Sequence, residues 1–245
     1  MTPQRPRLTL DAPAGAWGAP WPQAFEVARA LPPGSWTLVG GLMVQLHARI
    51  AGLPLTRPTT DVDATLHLET GVIDYPSAAA ALIGIGYDFD EEPRLAYRFR
   101  RGDDVVDLMA ADHLAPAHAP RYRGRDVFAV DGGTQALKRT LDVEIDTGDD
   151  TIVLSLPNLH GALVLKGAAL LADTRDRGRH ASDAVALLAC LTDPADVLGH
   201  LAGSDARRLR AIARALEDGQ PWADAPRDVE GLARPMLADI AAGLP

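Results

Sequence analysis

The sequence has little cysteine, few aromatics and no long apolar run, and each shortage removes a class of protein. One cysteine, Cys190, among 245 residues excludes an internal disulfide framework and a cysteine-based zinc site. It lies in the apolar run AVALLACL, where a buried, inert thiol is expected. Aromatics at 5 %, with alanine and other helix formers abundant, favour a helix-rich fold with some sheet over an all-β sandwich. No stretch approaches the apolar length of a membrane span. The leading MTPQRPRLTLDAPAGAWGAP carries arginines but no apolar core of the kind a secretory signal needs. A cytoplasmic protein with no membrane partner is the expectation.

Positive charge is also in short supply. The net charge of −9 argues against whole-surface binding of nucleic acid. It leaves room for a local basic surface, because the arginines are clustered: Arg94, Arg98, Arg100 and Arg101; Arg121, Arg123 and Arg125; Arg175, Arg177 and Arg179; Arg207, Arg208 and Arg210. Each cluster fits a solvated face as readily as a ligand site.

What is present divides the chain into three. Residues 1–20 are rich in proline and glycine and read as an irregular arm. Residues 21–156 read as a mixed α/β lobe. WPQAFEVARAL has helical spacing, SWTLVGG is a short strand ending in two glycines, and LMVQLHARIAGL returns to helical spacing. TTDVDATLHLE alternates, with Val62, Ala64, Leu66 and Leu68 on one face and Asp61, Asp63, Thr65 and His67 on the other. YPSAAAALIGIGY predicts a helix. AYRFRRGDDVVDLMAA predicts two strands joined by a tight Gly-Asp turn, and LDVEIDTGDDTIVLSLP a second hairpin, with a connector rich in Pro, His and Arg between them. Residues 157–245 show only amphipathic helical patterns. The fold class expected is α/β (α+β), a mixed sheet lobe with flanking helices followed by an all-helical lobe.

The chemistry concentrates in Asp61-Val62-Asp63. Residues two apart on a strand point the same way, about 6.5–7 Å apart along the backbone, so both carboxylates can converge on one hard cation. Asp107, on the strand VVDLM, is the natural third carboxylate, because Val106 and Leu108 would pack on the opposite face. Alone, Asp-x-Asp is a weak signal. It gains weight from the turn Gly40-Gly41, where a strand gives way to a helix whose first N–H groups favour an anion.

Taken together, Gly40-Gly41, Asp61-Val62-Asp63 and Asp107 resemble the pattern of the DNA polymerase β-like nucleotidyltransferases. VGGLMVQLHARI and TRPTTDVDATL resemble in particular its minimal, AbiEii/MenT-type toxin-like group. The resemblance implies a catalytic and metal-binding set of Asp61, Asp63 and Asp107. It implies Mg²⁺ or Mn²⁺ as the metal and a nucleoside triphosphate as substrate. In that scheme Asp61 and Asp63 hold the ion on the phosphates, Asp107 helps bind a second ion, and a nucleoside monophosphate passes to an acceptor hydroxyl. It also implies nucleotide contacts from Gly40, Gly41, Arg57, Lys166, Arg175 and Asp183, with Arg177 in the same turn as Arg175 and Ser35 near the cleft. The acceptor it implies is an RNA such as tRNA, or a protein, with an antitoxin protein as partner. A small-molecule acceptor of the antibiotic-modifying kind, or a degenerate nucleotide-binding protein without chemistry, are the alternatives.

Plainer readings stand beside these. Lys166 fits a snorkelling surface lysine, Asp183 a helix cap, and Arg57 a salt bridge anchoring its loop. His47 fits a core or surface role. His160, His180 and His200 show no metal-ligand pairing.

Overall fold

The computed structural model describes residues 5–13, 17–55, 57–115, 119–217 and 219–245. Parts of the expected arm (1–4, 14–16), Thr56 and the centre of the connector (116–118) lie outside the described residues. The chain forms two compact units, residues 1–42 with 59–157 and residues 43–58 with 158–245. The fold is mixed α/β, with the sheets in the first unit and, among the described residues, helices alone after Pro157.

In the first unit, in chain order, lie β1 (Arg7–Leu10), α1 (Trp21–Ala30), β2 (Trp36–Leu38), the start of α2 (Gly40–Ile50) and β3 (Asp61–Leu66). There follow α3 (Tyr75–Gly84), β4 (Asp88–Phe89), β5 (Arg98–Arg101), β6 (Asp104–Ala111), β7 (Arg121–Tyr122), β8 (Arg125–Asp126) and β9 (Ala129–Val130). The unit ends with α4 (Gly133–Leu137), β10 (Thr140–Asp146) and β11 (Thr151–Pro157). The main sheet has the order β2-β3-β6-β5-β4, with β9 added beside the end of β6. A second sheet has the order β1-β10-β11.

Two features of this sheet position the site. The first is β3, whose apolar alternates Val62, Ala64 and Leu66 are fully buried. Burying each such Val or Leu is worth roughly 1.5–3 kcal/mol, so a register slip that turned this face outward would be costly. The second is the pairing of β3 with β6, which is parallel and sets Asp63 directly opposite Asp107. On β6, Val106 and Leu108 are likewise buried without exposure, which fixes Asp107 on the same side as Asp61 and Asp63. The hairpin β5–β6 closes through Gly102, at φ 58°, and Asp103, so Arg101 pairs with Asp104 and Arg98 with Asp107.

The polar side of β3 is not a solvent face beyond the two aspartates. Thr65 and His67 are buried, and His67 Nε2 shares a 2.7 Å hydrogen bond with Thr37 Oγ1. Thr37 in turn bonds Ser155 of β11 at 2.9 Å, tying the two sheets together with a satisfied polar chain. Strand β3 also stops at Leu66, and Leu68 falls in a 3₁₀ turn, Leu68–Thr70, rather than continuing the alternation.

The helices predicted at α1, α2 and α3 form, the last with Asp74 capping the N–H of Ser77. One expectation needs correction. The N-terminal segment is not irregular throughout, because Arg7–Leu10 pairs in parallel with Asp142–Ile145 of β10. The connector between the two hairpins holds β7 to β9 and α4, with Asp112 accepting hydrogen bonds from the N–H groups of Gly132 and Thr134.

In the second unit, α2 continues from Met43, and α5 (Leu159–Ala172), α6 (Arg177–Ala189), α7 (Ala195–Leu198), α8 (Asp205–Ala215), α9 (Gln220–Ala223) and α10 (Arg227–Gly243) complete the chain. Helix α5 starts with Asn158 accepting from the N–H of Gly161. It packs closely on α8, where a side chain at Gly167 would collide with the backbone of Arg208. Cys190 ends α6 half-buried, its thiol donating to the Ala186 carbonyl, and burial pushes that thiol up to about 12, as expected of an unreactive cysteine. No helix among the described residues is long and apolar enough to cross a membrane.

Candidate metal centre

Asp61, Asp63 and Asp107 meet on one face of the main sheet, where one carboxylate oxygen from each lies within 4.8 Å of the others. Strand geometry makes this cluster: Asp61 and Asp63 alternate on β3, and Asp107 is the cross-strand neighbour of Asp63. Three acids so close repel one another unless positive charge compensates them. Asp107 is buried, with 6 % of its surface exposed, whereas Asp61 and Asp63 are half-buried. An all-oxygen set with two half-open members suits a hard divalent cation that keeps part of its water shell. The residues therefore fit Mg²⁺ or Mn²⁺.

Two side chains unrecognised in the sequence hold this cluster in place. Thr59 Oγ1 donates to Asp61 Oδ1 at 2.9 Å. Arg98 donates from Nε to Asp107 Oδ1 at 2.8 Å and from a terminal nitrogen to Oδ2 at 2.6 Å, a two-pronged, charge-assisted contact. Burial is the largest influence on Asp107 and pushes its carboxyl above the usual range. Arg98 opposes that push, while the charge of Asp61 adds to it. The reciprocal contact raises the Arg98 guanidinium above its ordinary value. The hairpin turn was the signal that could have found Arg98: with Gly102-Asp103 at the tip, counting back from the turn puts Arg98 opposite Asp107.

Gly40 is placed by the same cluster. Its φ of 66° lies in the left-handed region, and a Cβ built there would overlap the Asp63 carboxylate. The preceding residue is pinned as well, Val39 N–H donating to the Asp63 carbonyl at 2.9 Å. Gly40 and Gly41 open α2, which has no acidic residue of its own in the first turn, and the Asp63 carboxylate lies against Gly40. Ser35, expected near this site, is buried, with its hydroxyl donating to the Pro32 carbonyl.

The other expected nucleotide contacts belong to the second unit. Lys166 on α5 lies 2.7 Å from Asp183 Oδ2, and Arg57 reaches both Asp183 oxygens at 2.7 and 3.0 Å. Lys166 and Asp183 are buried, so Lys166 does not snorkel. Asp183 sits in the middle of α6 and caps nothing. The two cations hold its carboxyl below the usual range against the opposing effect of burial. Arg57 also donates to the Pro58 carbonyl, which fixes the end of the segment leading to β3. Arg175 stands apart, its side chain almost fully exposed and 4.0 Å from Asp173. His180 lies near this group and His47 is buried in α2, and neither joins a metal cluster among the described residues.

No family model matches the sequence, and no curated protein matches it. Among solved structures the fold is similar to that of ANT(2″)-Ia in complex with adenylyl-2″-tobramycin, at 14 % identity and a TM-score of 0.41, over 80 % of this chain and 96 % of that one. It is also similar to an antigenic nucleotidyltransferase-like protein from Paracoccidioides brasiliensis, at 14 % identity and a TM-score of 0.42, over 85 % and 84 %. A solution structure of the antibiotic-resistance factor ANT(2″)-Ia aligns at 13 % identity and a TM-score of 0.34, over 89 % and 91 %. These are likenesses of fold; what the site can do follows from its own residues.

Proposed function

We propose that the protein is a metal-dependent nucleotidyltransferase with Asp61, Asp63 and Asp107 as its metal-binding and catalytic carboxylates. One observation carries the reading: three converging carboxylates on adjacent parallel strands, packed against a glycine that has no room for a side chain. Asp61 and Asp63 are the more open pair and hold Mg²⁺ or Mn²⁺. The bound cation supplies neutralisation of the phosphate oxygens and makes the α-phosphorus electrophilic. Gly40 and Gly41 let the backbone approach the phosphates and present the first N–H groups of α2 to them. The acceptor hydroxyl gives up its proton to water as its oxygen bonds to the α-phosphorus, the bond from that phosphorus to the bridging oxygen breaks, and pyrophosphate leaves with the electron pair.

In the second unit, Lys166 and Arg57 both pair with Asp183. Cations of this kind suit a polyphosphate, and exposed Arg175 adds a further one. These residues are proposed as nucleotide contacts.

For the acceptor, the net charge of −9 favours a small cationic molecule bearing a hydroxyl, the kind of compound that tobramycin represents. A second reading, an RNA such as tRNA, is favoured by α8, whose exposed or half-exposed charges are Arg207, Arg210 and Arg214. In that reading the setting is a toxin with an antitoxin partner, as the sequence resemblance implies. Incubation with each labelled nucleoside triphosphate, Mg²⁺, and either total RNA or a panel of cationic hydroxyl compounds separates the two. Label on the small compounds alone supports the first and removes the second. Tight nucleotide binding without transfer to any acceptor would leave a binding protein and overturn the proposal.

A further inference from the structure

The helical unit holds a cavity of about 360 Å³ bounded by α6, α8 and α9, and neither the three aspartates nor Lys166, Arg57 and Asp183 line it. Its floor is apolar, with Ala181 of α6 and Pro221 of α9 both buried. Its charges are two arginines and one aspartate. Arg177 stands one turn before Ala181 on the same face of α6, and Arg214 comes from the last turn of α8. Asp224 follows the end of α9, and half-buried Ser182 adds a hydroxyl.

These groups do not satisfy one another. One terminal nitrogen of Arg177 donates to the Leu170 carbonyl at 2.5 Å, which anchors the guanidinium and leaves its other N–H groups to face the cavity. Among the described residues neither arginine pairs with a carboxylate, Asp224 pairs with no cation, and the Ser182 hydroxyl has no partner. Two guanidinium groups and a hydroxyl offer more donors than the two oxygens of a carboxylate can use, whereas the three terminal oxygens of a phosphate monoester match them. Asp224 lines the same cavity, so a chain of phosphates meets repulsion there, while a hydroxyl or ammonium on a small ligand meets an acceptor. The volume lies at the small end of ligand pockets, roughly 300–1,000 Å³.

We infer that this cavity is a second binding site, for a small phosphate monoester that also carries a hydroxyl or ammonium group. Arg177, Arg214 and Ser182 take the phosphate, and Asp224 takes the donor at the other end. The inference does not depend on nucleotidyl transfer, because none of these residues belongs to the metal centre.

The test is calorimetric titration of the metal-free, full-length protein with glycerol 3-phosphate, with inorganic phosphate and an oligouridylate as parallel arms. Wild type is expected to bind one glycerol 3-phosphate per chain with a dissociation constant of about 1 mM or tighter. Arg177→Met and Arg214→Met should each weaken that binding about 10-fold or more, with unchanged circular dichroism. Asp224→Asn should weaken glycerol 3-phosphate by about fivefold and leave inorganic phosphate no weaker, a split that a general loss of structure would not give. Asp63→Asn should bind as wild type does. Absence of binding at about 10 mM, or equal affinity in both arginine variants, overturns the inference. So does equal affinity for glycerol 3-phosphate in Asp224→Asn. Tighter binding of the oligouridylate, lost in Arg214→Met, would mark the surface as one for RNA and overturn it as well. If one arginine variant does not fold, the other decides.

Discussion

The two charged clusters of this protein are built in opposite senses. In the sheet unit three carboxylates converge, Asp107 is held by the Arg98 guanidinium, and the other two acids are half-open. In the helical unit two cations share one carboxylate, and the Lys166–Asp183 pair is buried. A buried cluster with nearly matched charge can satisfy itself. Three converging carboxylates, two of them half-open, suit a divalent cation from solution. The first is therefore read as the chemical centre. The second is a set of ion pairs on one buried carboxylate.

The comparison can be broken at either cluster. Asp61→Asn or Asp63→Asn should lower transfer on the order of 10³-fold or more with unchanged circular dichroism, since the cation's contribution to the transition state is lost. Comparable turnover in either variant would move the chemistry elsewhere. Asp183→Asn should act on the other axis. Removing one partner of a buried pair leaves an uncompensated charge, at a cost of about 3–5 kcal/mol in denaturant unfolding. A double change of Lys166→Met with Asp183→Leu should recover much of that stability, and if it also preserves nucleotide affinity the helical cluster is purely a brace.

Gly40→Ala should produce a mixed effect, because the new methyl group meets the Asp63 carboxylate at a positive φ. A destabilisation of about 1–3 kcal/mol, with weakened metal binding, is expected from thermal melts and Mn²⁺ titration. A neutral outcome in both would show that the turn is not tied to Asp63.

His180 gives the smallest effect and a pH signature. Burial, the largest cause, and then Lys166 lower its proton affinity below the ordinary 6.5, while Asp183 and Asp173 pull the other way. Below pH 6.5 the unfolded chain takes up the proton more readily than the folded one. The stability contributed by neutral His180 is thus present above that pH and lost as pH falls through the folded value. Urea melts at pH 7.5 and 5.5 should show a steeper loss in wild type than in His180→Gln, and parallel losses would exclude this histidine as the cause.

Much of the sheet unit was legible from sequence because its signals are local. The alternation through Asp61–Leu66 has one strand's period, and Gly102 and Gly148 mark their hairpins at positive φ. The elements that escaped lack such signals. Strands β7, β8 and β9 are two residues each, too short to show a period, and β1 exists by pairing with β10, more than 130 residues on. The site was readable to the same extent. The three aspartates stood out by spacing, whereas Arg98 was one arginine in a cluster of four until the hairpin register placed it on Asp107. In the helical unit the sequence marked Lys166 and Asp183 on separate helices and Arg57 in a distant loop, but their mutual pairing depends on tertiary packing.

The central claim, that the three aspartates carry nucleotidyl transfer, is tested most directly by comparing α- and γ-labelled nucleoside triphosphates in the same reaction with Mg²⁺ and the acceptor pools. Wild type should move the α-label to an acceptor and release the γ-label in pyrophosphate, and Asp63→Asn should do neither. Transfer of the γ-label, or equal α-label transfer by Asp63→Asn, would contradict it.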